Sequence, residues 1–373
     1  MLGLALSGGG FRATLFHIGS LLRINEAALL GLIDEYTSVS GGSIISAYLG
    51  VHWSDLNFDD AGVVTNFDEI IVGPIREFCG RTIDVGTILG GLVNPIRHPS
   101  DLLINNYRKH LFQDKTLQDL PAREAGPRFT IYATSLQTGA SVVFSHEYLS
   151  EYHLGRLAFP NIPIAQAVAA SSAFPPPLCP VKLRVDPDAW VAGNISDLHA
   201  DRYLKEILLL ADGGIYDNLG LERLDRLCDQ ILVSDAGAPF AVDRKGWTTR
   251  FSQLARTKRT LDIMSEQVRA LRTRNLVRKF IRKEKQGTYW GIGTPISDYP
   301  LAQMGLAAAL MSDNEETGRI AALRTRLNKF DEQEQVALIN WGYALADAAL
   351  RSRFDSALPE AVGLPFSPGK GHG

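Results

Sequence analysis

One stretch constrains this chain more than any other: Tyr36-Thr37-Ser38-Val39-Ser40-Gly41-Gly42-Ser43. A short β-prone run stops at a serine, two glycines follow, and Ile44, Ile45, Ala47, Tyr48 and Leu49 then recur with helical spacing. The pattern reads strand, sharp turn, helix, with Ser40 at the turn. Such a turn projects the serine hydroxyl away from the backbone, and small neighbours are required because strand and helix approach closely there. The usual form is Gly-x-Ser-x-Gly; here Ser38 holds the first glycine's place. An ordinary Ser-Gly-Gly loop ahead of a helix has the same composition, so the stretch needs partners before it implies chemistry.

The first partner lies upstream. Leu2 to Leu6 reads as a buried strand, followed by Ser7-Gly8-Gly9-Gly10 and a helix over about 11–30. Glycines between a strand and a helix leave N–H groups free at the positive end of the helix dipole, where an anion or a developing oxyanion binds. Gly8, Gly9 and Gly10 are the candidate donors, with Arg12 beside them. Gly8-x-Gly10-x-x-Ala13 also fits a dinucleotide fingerprint. That fingerprint wants an acid at the end of the second strand, whereas Asp34 and Glu35 precede that strand and serines end it. His17, on the following helix, reads as a packed residue.

The second partner lies far downstream. Glu206 to Ala211 is apolar and β-prone and ends in Asp212-Gly213-Gly214; Ile231 to Ser234 repeats the pattern before Asp235. A serine hydroxyl needs a group to take its proton. A Ser-Asp-His order fails for Asp212, because His372 alone follows it, and His199 lies in a polar loop. The economical reading is a dyad in which Asp212 contacts Ser40 directly. Burial would have to raise the basicity of that carboxylate.

Elsewhere, Phe129–Thr134 and Ser141–Ser145 predict a hairpin, and Ile164 to Ala173 a helix of small residues. Residues 53–128 are weakly patterned and read as an insertion, a candidate lid or substrate mouth. Residues 244–285 carry fourteen Lys or Arg against Asp262, Glu266 and Glu284. Leu261, Met264, Val268 and Leu271 recur there at helical spacing, giving a basic amphipathic helix. Such a helix either packs by its apolar face or touches an anionic membrane surface peripherally. Helices are expected over 301–311, 315–330 and 332–354, and a loosely held tail over 359–373.

A net charge of −3 gives no reason to expect nucleic acid as a partner. Three widely spaced cysteines fit neither a disulfide framework nor a zinc site, and no motif calls for a metal or cofactor. Met1 leads directly into an apolar strand, and no run of about 18 apolar residues occurs. The expectation is a single hydrolase domain over 1–358, cytoplasmic, with an unknown oligomeric state.

Together the blocks resemble the patatin-like phospholipase family. Ser7-Gly8-Gly9-Gly10-Phe11-Arg12 resembles its oxyanion loop, Ser38-Val39-Ser40-Gly41-Gly42-Ser43 its nucleophile elbow, and Asp212-Gly213-Gly214 its Asp-Gly-Gly block. The stretches 133–139, 169–175 and 233–237 are similar to those of bacterial members. The resemblance implies a three-layer α/β/α fold with a mainly parallel central sheet and a helical C-terminal region. It also implies hydrolysis of a lipid or other ester through an acyl-enzyme formed on Ser40, with Asp212 as base and no cofactor. The alternative is a non-catalytic membrane-surface, nucleotide- or anion-binding protein using the glycine-rich loop.

Overall fold

The computed structural model describes residues 1–81, 83, 98–175, 178–240, 242–243, 246 and 253–367. An eleven-stranded sheet forms its centre, in the order β11-β10-β1-β2-β3-β4-β5-β6-β8, with β9 and β7 branching from β3. The strands are β1 (Leu2–Leu6), β2 (Glu35–Val39), β3 (Arg128–Ser135), β4 (Ser141–Phe144), β5 (Tyr148–Glu151), β6 (Gly155–Ala158), β7 (Val181–Arg184), β8 (Trp190–Val191), β9 (Ile207–Asp212), β10 (Gln230–Asp235) and β11 (Gln286–Gly291). From β11 to β3 every pairing is parallel. From β3 to β8 the strands form an antiparallel meander.

The parallel strands are apolar throughout because both of their faces are covered. Alternation along β1 shows it: Leu2, Leu4 and Leu6 enter the main core, while Ala5 enters a smaller core on the opposite face. Helices α1 (Gly10–Glu26), α2 (Gly41–Val51), α3 (Ile164–Ser171) and α5 (Glu332–Ala349) build the main side. The helix Leu221–Leu227 and Leu276 of α4 (Gln253–Ile281) build the other. Gly19 and Gly342 let α1 and α5 touch backbone to backbone. A β-carbon on Gly19 would sit 1.9 Å from the Ile339 carbonyl oxygen.

The meeting of β2 and β9 positions the site. Along one flank of β3, β2 runs parallel and ends with Val39 opposite Tyr132. On the same flank β9 runs antiparallel and ends with Asp212 opposite Ala133, the next residue. The two strands approach head-on, and their carboxyl ends meet.

Several expectations change. Of the helices expected over 301–330, only a short turn at Ala302–Met304 and the helix Glu315–Ala321 form. Gly305 adopts φ +69° and ends the turn, and Leu306 and Leu310 cover the core as irregular chain. The expected loose tail is docked as far as residue 366. Asn340 donates to the Phe366 carbonyl at 2.7 Å and accepts its N–H at 3.1 Å, and Arg76 lies over its ring. The candidate lid falls partly outside the described residues. Among its described parts, the helices Gly73–Cys79 and Pro99–Tyr107 carry Ile75, Phe78, Leu103 and Tyr107 into the main core. The basic region is a helix from residue 253, its earlier part lying largely outside the described residues. Its apolar residues do not share one face: Leu276 is buried, whereas Leu261, Met264 and Leu271 are exposed. Among the described residues no helix is long and apolar enough to cross a membrane.

Candidate active site

Ser40 sits between β2 and α2 with φ +52° and ψ −120°. A side chain is rarely held in this conformation, at a cost of about 1–3 kcal/mol, so the surroundings must enforce it. They do so by close approach. A β-carbon on Gly41 would lie 2.0 Å from the Gly10 carbonyl oxygen, and one on Gly42 would lie 2.3 Å from that of Leu6. Glycine is therefore required at both positions. Thr14 adds a clamp, its hydroxyl donating to the Gly41 carbonyl at 2.8 Å.

A chain of hydroxyls holds the turn from below. The Ser40 N–H donates to Ser171 Oγ at 2.9 Å. Ser171 pairs with Ser43 Oγ at 2.9 Å, Ser43 donates to Ser38 Oγ at 3.1 Å, and Ser38 donates to the Thr130 carbonyl at 3.2 Å. Ser38, Ser43 and Ser171 are fully buried, so each hydroxyl needs its partner. The serine in the first-glycine position thus ties the turn to β3. Ser43 and Ser171 were given no role from the sequence, although Ser43 closes the elbow stretch and Ser171 lies in the small-residue run 169–175.

The Ser40 hydroxyl faces the carboxylate of Asp212 and favours its charged form, and the Gly214 N–H donates to that carboxylate at 2.7 Å. Asp212 is 4% exposed, and burial raises its pKa from 3.8 to about 6 against the pull of those two donors. Its backbone is fixed from two sides: its N–H donates to the Ala173 carbonyl at 3.0 Å, and its carbonyl accepts from Thr134 at 2.9 Å. Gly213 is needed because a β-carbon there would meet the Tyr132 carbonyl at 2.4 Å. Asp235, the second candidate acid, is not part of this pair; it binds Tyr289 at 2.6 Å and Arg269 at 3.4 Å.

The glycine-rich loop packs onto Ser40. A β-carbon on Gly8 would come within 3.1 Å of Ser40 Cβ. Two of the expected anion-holding groups are committed elsewhere. The Gly8 N–H donates to the Asn218 carbonyl at 3.1 Å. Arg12 is buried and gives both terminal nitrogens to carbonyls, Leu323 and Ala236, each at 2.7 Å. It braces the start of α1 instead of offering a free charge, and burial lowers its pKa to about 10. Among the described residues the amides of Gly9 (φ +152°) and Gly10 (φ +60°) have no protein acceptor. The Phe11 N–H donates to Arg326, whose backbone lies against Gly10, where a dinucleotide pyrophosphate would have to approach.

Each described histidine is engaged away from Ser40. His17 is buried between the Ser7 carbonyl (2.9 Å) and Ser234 Oγ (2.8 Å), and burial lowers its pKa to about 4. A carbonyl only accepts, so Nε2 carries the hydrogen and Nδ1 accepts from Ser234. His52, His98, His110, His146, His153 and His199 bind Asp55, Ser100, Arg81, the Leu120 carbonyl, Asp197 and the Leu154 carbonyl respectively. Among the described residues no group of three His, Cys, Asp or Glu side chains is gathered to hold a metal ion. A cavity of about 500 Å³ lies at the opposite, amino edge of the sheet, lined by Trp53, Phe58, Glu35 and Arg128; neither Ser40 nor Asp212 reaches it.

No curated protein matches the chain. Among solved structures it is similar to human GIVD cytosolic phospholipase A2, at 15% identity and TM-score 0.40 over 64% of this chain and 46% of that one. The same human protein in complex with methyl gamma-linolenyl fluorophosphonate is matched at 15% identity and TM-score 0.48, over 93% and 57%. VipD from Legionella pneumophila is matched at 13% identity and TM-score 0.33, over 95% and 67%. The chain thus spans about half the length of the human structures. The family model for patatin-like phospholipase matches residues 4–225, which include the glycine-rich loop, the Ser40 turn and the Asp212 block; the chain belongs to the patatin-like phospholipase family.

Proposed function

We propose that this protein is a lipid acyl hydrolase working through a Ser40–Asp212 dyad. The observation that carries the reading is a serine at a strained turn facing a buried carboxylate of raised basicity, where two strands meet head-on. A carboxylate near pKa 4 is a weak base toward an alcohol, and lifting it to about 6 improves the match while leaving it ionised at neutral pH.

In this mechanism Ser40 Oγ attacks the ester carbonyl as its proton passes to Asp212. The negative charge that develops on the carbonyl oxygen is held by the amides of Gly9 and Gly10 at the start of α1, which are fixed before the reaction begins. Collapse of the tetrahedral species breaks the bond to the alcohol, which takes the proton from Asp212. Water, with its proton accepted by Asp212, then attacks the acyl-serine; the bond to Ser40 Oγ breaks as Asp212 returns that proton to it, and the fatty acid is released. The chain of Ser171, Ser43 and Ser38 keeps Ser40 in its unfavourable backbone conformation throughout.

The test is fatty-acid release from mixed phospholipid vesicles and from a soluble short-chain ester, for wild type, Ser40→Ala and Asp212→Asn. Release by wild type, lost in both variants with the fold retained, supports the dyad. Near-normal release by either variant overturns it.

A further inference from the structure

Helix α4 has 29 residues and runs antiparallel to β10. At its C-terminal end Lys279 binds Asp225 at 2.6 Å, and just beyond the helix Lys285 binds the Cys228 carbonyl at 2.7 Å; both partners precede β10, at its amino end. In its middle, Arg269 reaches Asp235 at the carboxyl end of β10, and Arg272 reaches Asp217, just after the Asp212 turn, at 3.3 Å. Residues before 269 therefore continue past the carboxyl edge of the sheet, the edge that bears Ser40 and Asp212. At 1.5 Å per residue, Leu261 stands about 12 Å beyond Arg269.

Two groups stand out among the apolar residues of this helix, apart from the separately exposed Ile263 and Ile281. Leu276 and Phe280 face the sheet and pack with Leu224, Ile231 and Val233. Leu261, Met264 and Leu271 share a different stripe at i, i+3 and i+10, and are 47, 60 and 60% exposed. On another side of the helix the Arg259 guanidinium lies over the Phe240 ring, 4.0 Å away. Over its whole length the helix has eight basic and two acidic residues. The core-facing cations Arg269, Arg272 and Lys279 pair with carboxylates, while the exposed Arg274 and Arg278 flank the apolar stripe without a carboxylate partner among the described residues. An exposed apolar stripe bordered by arginines complements a surface that offers acyl chains below and negative charge above.

We propose that the exposed stripe of α4, from Leu261 through Leu271 and on to Arg274 and Arg278, docks the protein on an anionic phospholipid bilayer. The use of that docking rests on the lipid-hydrolase reading; the contact itself does not.

The test is co-sedimentation of the full chain with vesicles of phosphatidylcholine alone or mixed with phosphatidylglycerol, repeated on Ser40→Ala so that hydrolysis does not alter the vesicles. The variants are Leu261→Glu with Met264→Glu, and Arg274→Ala with Arg278→Ala. Turnover of a soluble short-chain ester and the melting temperature are followed in parallel. The expected result is binding to the mixed vesicles that weakens with salt. Each double variant should weaken it by at least about tenfold, or about 1.4 kcal/mol, with soluble-ester turnover and melting unchanged. Absence of wild-type binding, or equal binding by the Leu261/Met264 variant, overturns the proposal. So does loss of a dimer in that variant by size-exclusion chromatography without any vesicle effect, which would make the stripe a contact between copies. Vesicle binding without turnover of any ester leaves the docking standing and removes the catalytic reading.

Discussion

Asp212→Asn should make the protein more stable at neutral pH while abolishing its activity. Asp212 is 4% exposed, and its pKa rises from 3.8 to about 6 on folding because burial disfavours the charged form. A carboxyl with a raised folded pKa favours the fold when protonated. That contribution is whole below pH 3.8, fades as pH rises toward about 6, and is absent above it. At pH 7.5 the wild type therefore carries the full cost of an ionised buried group. At about 1.4 kcal/mol per tenfold change in proton affinity, that cost is about 3 kcal/mol. Asparagine has the same shape, still accepts the Gly214 N–H and carries no charge. For a chain of 373 residues the gain corresponds to about 4 °C in Tm. Urea and thermal unfolding of both proteins at pH 7.5 and at pH 4 would measure it. The gap should be largest at pH 7.5 and nearly closed at pH 4, since every other carboxylate titrates alike in both proteins. Equal stabilities at pH 7.5, or a gap indifferent to pH, would refute the claim that Asp212 is held as a desolvated base. The same group sets the acid limb of catalysis, so wild-type kcat/KM should rise with pH through about 6.

The Ser40 backbone offers a second test: Ser40→Gly and Ser40→Ala should both be inactive, but Ser40→Gly should melt higher, by about 1 kcal/mol, because only glycine is at ease at this turn. Ser171→Ala removes the acceptor of the Ser40 N–H and the partner of Ser43; unfolding measurements should show a loss of about 1–3 kcal/mol, and kcat should fall about tenfold with less change in KM. Gly41→Ala forces a β-carbon against the Gly10 carbonyl, and a loss of about 3 kcal/mol with parallel loss of activity is expected by thermal melting and ester assay. His17→Phe keeps a ring but orphans the Ser7 carbonyl and leaves the Ser234 hydroxyl with Ser20 alone; it should cost about 1–3 kcal/mol in urea unfolding and leave the pH profile of activity unmoved, because His17 is neutral throughout the working range.

Much of the site was legible because its parts are local. Strands β1, β2 and β10 announce themselves as short apolar runs ending in Ser or Asp and a turn. The glycines at 41, 42 and 213 mark places where backbones touch. Other parts were not legible. The Gly8 amide and the Arg12 guanidinium looked available from their place beside a helix start, and their acceptors, Asn218, Ala236 and Leu323, lie more than 200 residues away. Segments 301–311 and 315–330 carry helix-forming residues, yet most of this chain lies across the core as irregular structure, where burying Leu306 and Leu310 outweighs local propensity.

The sequence by itself determined the chemistry on offer: a serine at a strand-to-helix turn, an acid at the end of an apolar strand, and glycines where side chains would collide. Tertiary structure decided which of these groups meet. β2 and β9 run toward each other along one flank of β3, and that register alone brings Ser40 against Asp212 and seals the carboxylate from water. The two faces of α4 were decided the same way. Spacing along a helix shows which residues share a side, but only packing against the sheet shows that Leu276 is covered and that Leu261 and Met264 are not.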